Sequence, residues 1–84
     1  MHVEFLGIPR ERAGISEFEL EAETLGQALD ALAARFPGLG ELVTDGRLHS
    51  SLAVSLNTDE FISDPATRLD DDDRLLILSA DAGG

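Results

Sequence analysis

The sequence predicts an α+β fold in which one main helix packs across a mixed sheet of four or five strands. Three observations lead to this prediction. Two segments with alternating apolar and polar residues open the chain, one amphipathic helical pattern follows, and the most apolar segment comes near the end. The predicted order is β-β-α-β-β-β. A single helix lying on a sheet is the simplest arrangement that buries the apolar faces of both.

The first two strands are predicted to form an antiparallel hairpin. Residues 2–7 and 16–21 both alternate in the way that places every second side chain on one face of a sheet. The segment between them, residues 8–14, contains proline and glycine and is predicted to be a loop. The side chains expected to face the core are Val3, Phe5, Phe18 and Leu20.

The helix is predicted over residues 25–36. Thr24 suits the N-cap, and Gln27 three residues later completes a capping box. Pro37 and the glycine after it end the helix. One apolar stripe, at positions i, i+3, i+4, i+7 and i+11, should lie against the sheet. Its members are Leu25, Ala28, Leu29, Leu32 and Phe36.

The second half of the chain supplies the remaining strands. Residues 39–48 are irregular, with a short turn at 41–43 and a bend at 45–46. Strands are predicted at 52–57, 60–62 and 74–79. The last strand is strongly apolar and should be central, and beside the first strand it would run parallel. This arrangement is the ubiquitin-like β-grasp fold.

Length and composition narrow the possible functions. The 84 residues suit one small domain, predicted to span residues 1–79 and to be followed by a flexible tail, residues 80–84. The net charge of −11 argues against nucleic acid and anionic membranes as partners. The chain has no cysteine, no apolar stretch of about 20 residues and no signal peptide. We therefore expect a cytoplasmic protein.

The C-terminal tail is the candidate functional site. The last strand passes directly into Asp81-Ala82-Gly83-Gly84, so the working group would be the carboxylate of Gly84. Gly83 and Gly84 offer only backbone and would fit a channel too narrow for side chains. Asp81 and Ala82 would form a stalk that contacts a partner. Fully extended, the tail would reach about 20 Å, into a partner's active site.

The sequence resembles the small subunit of molybdopterin synthase and, more broadly, the MoaD/ThiS sulfur-carrier family. The first strand and the segment after it, residues 3–14, are similar to the opening of that family, and residues 24–37 are similar to its helix. Residues 54–57 and the acidic turn before the last strand resemble its second half. The Gly-Gly end matches its terminus. The family often has Pro-Pro where this chain has Ser79-Ala80.

The resemblance implies a carrier and not an enzyme. In the family, an E1-like adenylating enzyme uses ATP and Mg²⁺ to adenylate the terminal glycine carboxylate, here Gly84. A sulfur donor, a persulfide or sulfide, then displaces AMP and leaves a thiocarboxylate. An acceptor synthase subunit uses this sulfur for a cofactor or metabolite. The resemblance favours the molybdopterin pathway, followed by thiamine or others, and implies no cofactor or metal bound by the chain itself.

The face of the sheet opposite the helix is a candidate docking surface for the activating enzyme. If Leu75 and Ile77 point into the core, the alternating residues of the last strand point to the other face. Leu6 would join them if the first and last strands are neighbours. Apolar residues on this face would form a docking patch. The predicted members are Leu6, Leu76 and Leu78.

Three other features have simpler interpretations. The acidic run Asp70–Asp73 lacks the ligand spacing of an EF-hand loop, and we interpret it as a solvated turn. Steering of a basic partner by the wider acidic segment 59–73 is the second interpretation. His2 and His49 lie far apart without a matching ligand spacing, so we interpret both as surface or half-buried histidines. No catalytic constellation can be assembled from the sequence.

Two alternative functions remain open. The same activated terminus could be transferred to lysine amines, which would make the chain a ubiquitin-like protein modifier. Alternatively, the chain could be a β-grasp interaction domain without covalent chemistry. Only the function as an interaction domain without covalent chemistry would survive deletion of Gly83 and Gly84.

Overall fold

A computed structural model describes residues 1–44 and 46–80 of the chain. The bend predicted at 45–46 therefore falls partly outside the described residues. Two helices, a short 3₁₀ turn and seven strands are present in the described ranges. In chain order they are β1 His2–Phe5, α1 Ile8–Ala13, β2 Glu17–Glu19, α2 Leu25–Arg35, the 3₁₀ turn Pro37–Leu39, β3 Val43–Thr44, β4 Arg47–Leu48, β5 Leu52–Leu56, β6 Glu60–Ile62 and β7 Arg74–Ser79.

The main sheet has five strands in the order β2-β1-β7-β5-β6. Strands β1 and β7 are parallel, with Phe5 opposite Ile77, and the other three pairs are antiparallel. The most apolar strand is therefore central, as predicted, because it is flanked by neighbours on both sides. The mixed sheet and the parallel pairing of the first and last strands are confirmed.

Helix α2 covers one face of the sheet and begins as the sequence predicts. The Thr24 side chain accepts a hydrogen bond from the backbone N–H of Gln27, and the Gln27 side chain in turn accepts one from the Glu23 N–H. These bonds satisfy backbone donors that a helix start leaves unpaired. All five residues of the predicted stripe are buried, and Phe36 stacks edge-to-face on Phe5 and Phe18.

The predicted loop at residues 8–14 is in fact the short helix α1. Pro9 stands in its first turn, where a missing N–H costs nothing, and Gly14 ends it in the left-handed conformation. The helix packs against β7 and against the turn after α2. Proline and glycine here mark the start and the end of a helix, so the prediction of a loop was wrong.

Residues 39–48 are more regular than predicted. After the 3₁₀ turn, β3 and β4 pair as a separate two-stranded antiparallel sheet, with Val43 opposite Leu48. Leu39 and Val43 are buried in the core, so this segment closes one side of the space under α2. Strands of two residues are too short to show an alternation that sequence reasoning could detect.

The acidic run before β7 is a turn, as predicted, and a hydrogen-bond network orders it. The Asp73 side chain accepts bonds from the backbone N–H of Asp70 and from the Asn57 side-chain amide, at 2.7 Å and 2.9 Å. These bonds, the one from Asp70 first, lower the pKa of Asp73. Asn57 also accepts a bond from the Arg74 N–H and so connects two turns at the start of β7.

In the described ranges, neither helix is long and apolar enough to cross a bilayer.

Candidate functional site

The base of the tail is anchored at one end of the central strand. The Ala80 N–H donates to the Ser51 carbonyl at 2.7 Å, and the Ile8 N–H donates to the Ser79 hydroxyl at 3.1 Å. The last strand is thus held on both sides up to the point from which the tail begins. The four predicted site residues after this point, Asp81, Ala82, Gly83 and Gly84, lie outside the described residues.

Gly7 provides close packing at this anchor point. Its φ is +67°, and a Cβ placed there would lie 2.7 Å from the Ser79 Oγ. A side chain would therefore suffer both from an unfavourable backbone conformation and from a steric clash. This position requires glycine so that the loop after β1 can pass close to the end of β7.

We expect Gly7→Ala to destabilise the fold more than Gly14→Ala. Gly14 also has a positive φ, +81°, but a Cβ there would meet nothing within 4 Å. Gly14→Ala should cost about 1–2 kcal/mol for the backbone conformation alone. Gly7→Ala should cost at least about 1 kcal/mol more because Ser79 must move. Urea unfolding of both variants measures the difference, and equal losses would contradict the proposed contact.

The face of the sheet opposite α2 carries a row of side chains that crosses all five strands. The pairing register places Glu17, Glu4, Leu76, Ser55 and Phe61 side by side, in that order. The β2–β1 side of this row is acidic, whereas the β7–β6 side contains the large apolar residues. We call Leu76 and Phe61, together with Leu6 directly after β1, the apolar patch.

The structure gives the exposure expected for only part of the predicted docking patch, and docking itself stays a prediction. Leu6 is 45% exposed and Leu76 is partly exposed, as the prediction requires. Leu78 is only 9% exposed, so its predicted place in an accessible patch is wrong. Ala53 on β5 lies opposite Leu78 in the register, and helix α1 packs against the same strand.

Phe61 is an exposed aromatic residue on this face that was not among the predicted members of the docking patch. It is 68% exposed, the highest value among the large apolar side chains in the described ranges. It pairs with Ser55, which also pairs with Leu76. The tight turn after β5, with positive φ at Asn57 and Thr58, sets this register. Phe61 and Ile62 are neighbours on a strand, so their side chains point to opposite faces, and this alternation was the sequence signal for the exposure of Phe61.

The acidic side of the same face surrounds His2. Its Nδ1 atom lies 2.6 Å from a carboxylate oxygen of Glu19, and its Nε2 atom lies 3.2 Å and 3.5 Å from those of Glu17 and Glu4. The hydrogen bond with Glu19, followed by the one with Glu17, raises the pKa of His2, while partial desolvation opposes the shift. Arg74 on β7 approaches Glu4 at 4.0 Å.

The elevated pKa of His2 predicts a stability that falls as the pH rises. The folded state holds the proton more tightly than the unfolded chain, whose histidine has a pKa of about 6.5. The stabilisation should therefore be complete below pH 6.5 and should disappear as the pH passes the raised value. Urea unfolding across this range measures the effect. Glu19→Gln should flatten the pH dependence, whereas Glu60→Gln, an exposed acid on β6, should leave it unchanged.

The arrangement of the helix and the strands defines a class of protein. One main helix lying on a mixed five-stranded sheet, with the last strand central and parallel to the first, is the ubiquitin-like β-grasp architecture. The predicted fold class is confirmed. In such a protein the chain leaves the sheet at the end of its central strand, here at Ser79 and Ala80.

The chain belongs to the ThiS family, whose model matches residues 3–84. The match includes the terminal glycines and confirms the resemblance to MoaD/ThiS carriers. A search of curated protein sequences found no match.

Solved structures with the same fold include CysO proteins and small archaeal modifier proteins. The Amycolatopsis orientalis BexX/CysO complex contains a chain with 30% identity and a TM-score of 0.78, and the alignment covers 99% of this chain and 98% of that one. Mycobacterium tuberculosis CysO is 28% identical with a TM-score of 0.78, covering 94% and 97%. SAMP1 of Haloferax volcanii is 25% identical with a TM-score of 0.76, and the alignment covers 99% of this chain and 97% of that one. A second structure from the same organism carries the full name small archaeal modifier protein 1.

Proposed function

We propose that this chain is a sulfur carrier whose Gly84 carboxylate is converted to a thiocarboxylate by partner enzymes. The observation that carries the proposal is the family match, which extends to the Gly-Gly end. The anchored base of the tail supports it, because the hydrogen bonds at Ser79 and Ala80 give the tail a firm starting point. A carrier needs this combination of a rigid body and a free reactive end.

The chemistry requires little from the chain itself. The terminal carboxylate is ionised at neutral pH, so its oxygen can attack the α-phosphorus of ATP while pyrophosphate leaves. Sulfide then attacks the acyl carbon, AMP leaves, and the thiocarboxylate remains. The partner must supply Mg²⁺ and cationic groups, since this chain carries a net charge of −11. The chain is thus a substrate of an E1-like enzyme and has no catalytic role of its own.

The apolar patch would dock the activating enzyme. Leu6 and Phe61 are exposed, and Leu76 lies between their strands on β7. Clustered apolar side chains of this kind form the centre of many protein interfaces, with charged residues at the rim. The acids of β1 and β2 border the patch on the other side of the face, where they would steer a basic surface into place. An acceptor synthase subunit would use the same face in turn.

A second candidate function is protein modification. The likeness to SAMP1 favours it, since that protein is named a modifier. In this reading the activated Gly84 is joined to a lysine amine of another protein. The chain itself contains no lysine, so lysine-linked chains of its own copies cannot form. Any isopeptide would therefore appear on other proteins.

One mass-spectrometric experiment separates these functions. The purified chain is incubated with the adenylating enzyme, ATP, Mg²⁺ and sulfide, and its intact mass is measured. Exchange of one oxygen for sulfur at the C-terminus supports the carrier function. Lysines in cell extracts that carry the branch of residues 75–84, which trypsin leaves because Arg74 is the last basic residue, would without sulfur exchange support the modifier function instead. If neither product forms, both proposals fail.

A further inference from the structure

We propose that His2, Glu4 and Glu17 form a binding site for a divalent transition-metal ion of the Zn²⁺ type. One ligand atom from each side chain lies within 4.8 Å of the others. An imidazole nitrogen with two carboxylate oxygens is a donor set that zinc uses in proteins. Nothing in the proposed carrier function requires this site, so the two proposals can fail independently.

The distances around His2 agree with the ligand spacing of a metal centre. In a tetrahedral site with bonds of about 2.0–2.2 Å, neighbouring ligand atoms stand roughly 3.3–3.6 Å apart. The His2 Nε2 atom lies 3.2 Å from Glu17 and 3.5 Å from Glu4. An ion placed between these three atoms could thus reach bonding distance through small side-chain rotations. Loss of the Nε2 proton would accompany binding.

Glu19 holds the imidazole in the orientation that a metal ligand needs. Its carboxylate lies 2.6 Å from the His2 Nδ1 atom, on the opposite side of the ring from Nε2. In metalloproteins, a carboxylate bonded to the second ring nitrogen keeps the tautomer in which the first nitrogen can bind metal. Here Nε2 is the atom turned toward Glu4 and Glu17.

The backbone positions these groups on paired strands. His2 and Glu4 lie on β1, directly opposite Glu19 and Glu17 on β2, and β1 is itself paired with β7. Sites built on strands keep their geometry better than sites on loops. The His2 side chain is 23% exposed and that of Glu17 is 62% exposed, so an ion can enter from solvent. The negative net charge of the chain also favours a cation.

Three protein ligands leave at least one coordination position for water or for a group from a partner. The imidazole selects for zinc-type ions over Mg²⁺ and Ca²⁺, which prefer oxygen ligands.

Isothermal titration of the untagged chain with Zn²⁺, in a buffer that does not chelate metal, tests the site. We expect one equivalent to bind and an excess of Mg²⁺ not to displace it. His2→Gln should abolish binding, and Glu17→Gln and Glu4→Gln should each weaken it at least tenfold. Glu19→Gln should weaken it by about 10–100-fold through loss of orientation. Circular dichroism would verify that each variant is folded.

His49→Gln and Glu60→Gln are the matched controls. In the described part of the chain, the His49 ring bonds to Ser51 and to no carboxylate. Both controls should bind Zn²⁺ as the unchanged chain does. The ¹⁵N resonances of the His2 ring provide a second readout, because Zn²⁺ should shift Nε2 more than Nδ1. Binding that survives His2→Gln, an unshifted Nε2 resonance, or the absence of Zn²⁺ binding would overturn the proposal.

Discussion

Appending one alanine after Gly84 should abolish thiocarboxylate formation. The added residue carries a Cβ and moves the reactive carboxylate beyond the position that a glycine-width channel would present to ATP. Near-complete loss is expected because a displacement of one residue, about 3.3–3.6 Å, far exceeds the tolerance of an in-line attack. Intact-mass measurement after incubation with the adenylating enzyme, ATP, Mg²⁺ and sulfide gives the result directly.

An alanine inserted between Ala82 and Gly83 is the matched control. This variant has the same length and composition as the extended one but keeps the Gly-Gly end. It should be sulfurated to a large extent, since only the stalk has changed. If the chain with the appended alanine is sulfurated at the normal rate, with the extra residue still in place, the reactive group is not the terminal carboxylate and the carrier proposal fails.

Phe61→Ala should weaken binding of the activating enzyme by about 30-fold or more. The side chain is 68% exposed in the free protein and lies in the same row as Leu76. An exposed aromatic residue that becomes buried at the centre of an interface typically contributes 2 kcal/mol or more, and about 1.4 kcal/mol corresponds to a factor of ten. Surface plasmon resonance with the immobilised enzyme measures the dissociation constant.

Ile15→Ala is the control for this measurement. Ile15 is 38% exposed but lies in the loop between α1 and β2, outside the apolar patch. Its truncation should leave the affinity within about twofold, as expected for a surface change away from the interface. Equal affinities of the unchanged chain and the Phe61→Ala variant would show that the enzyme docks elsewhere.

Leu78→Glu is unsuitable as a test of docking. Because Leu78 is only 9% exposed, a carboxylate at this position would be placed among neighbours on both sides of the central strand. Burial of an unpaired charge destabilises the fold, so a loss of binding would not report on the interface. Leu76→Ala, at a partly exposed position on the same strand, can be interpreted more directly.

Periodic elements were predictable because their patterns are local. The helix has an N-cap at Thr24 and a continuous apolar stripe, and the strands from β5 to β7 have clear alternation or strong apolar character. Helix α1 was mistaken for a loop because proline and glycine, here Pro9 and Gly14, occur both at the ends of helices and in loops. The β3–β4 pair escaped prediction because two residues contain no period.

The face opposite α2 was only partly predictable, since its composition depends on which strands are neighbours. The parallel β1–β7 pairing brings Leu6 beside the last strand, and the β5–β6 hairpin adds Phe61. The same dependence explains His2. Its ligand partner Glu17 is fifteen residues away in the chain and approaches only because β2 folds back onto β1. Linear spacing carries no sign of such a cluster.

The sequence by itself determined the main helix and the five strands of the main sheet in their order, the buried stripe of the helix, the apolar last strand and the Gly-Gly end. These depend on the pattern of neighbouring residues and on the absence of side chains after Ala82. The tertiary structure alone decided that Leu78 is buried, that Phe61 lies in the same row as Leu76, and that His2 meets three carboxylates. These outcomes follow from strand register, which brings together residues that are distant along the chain.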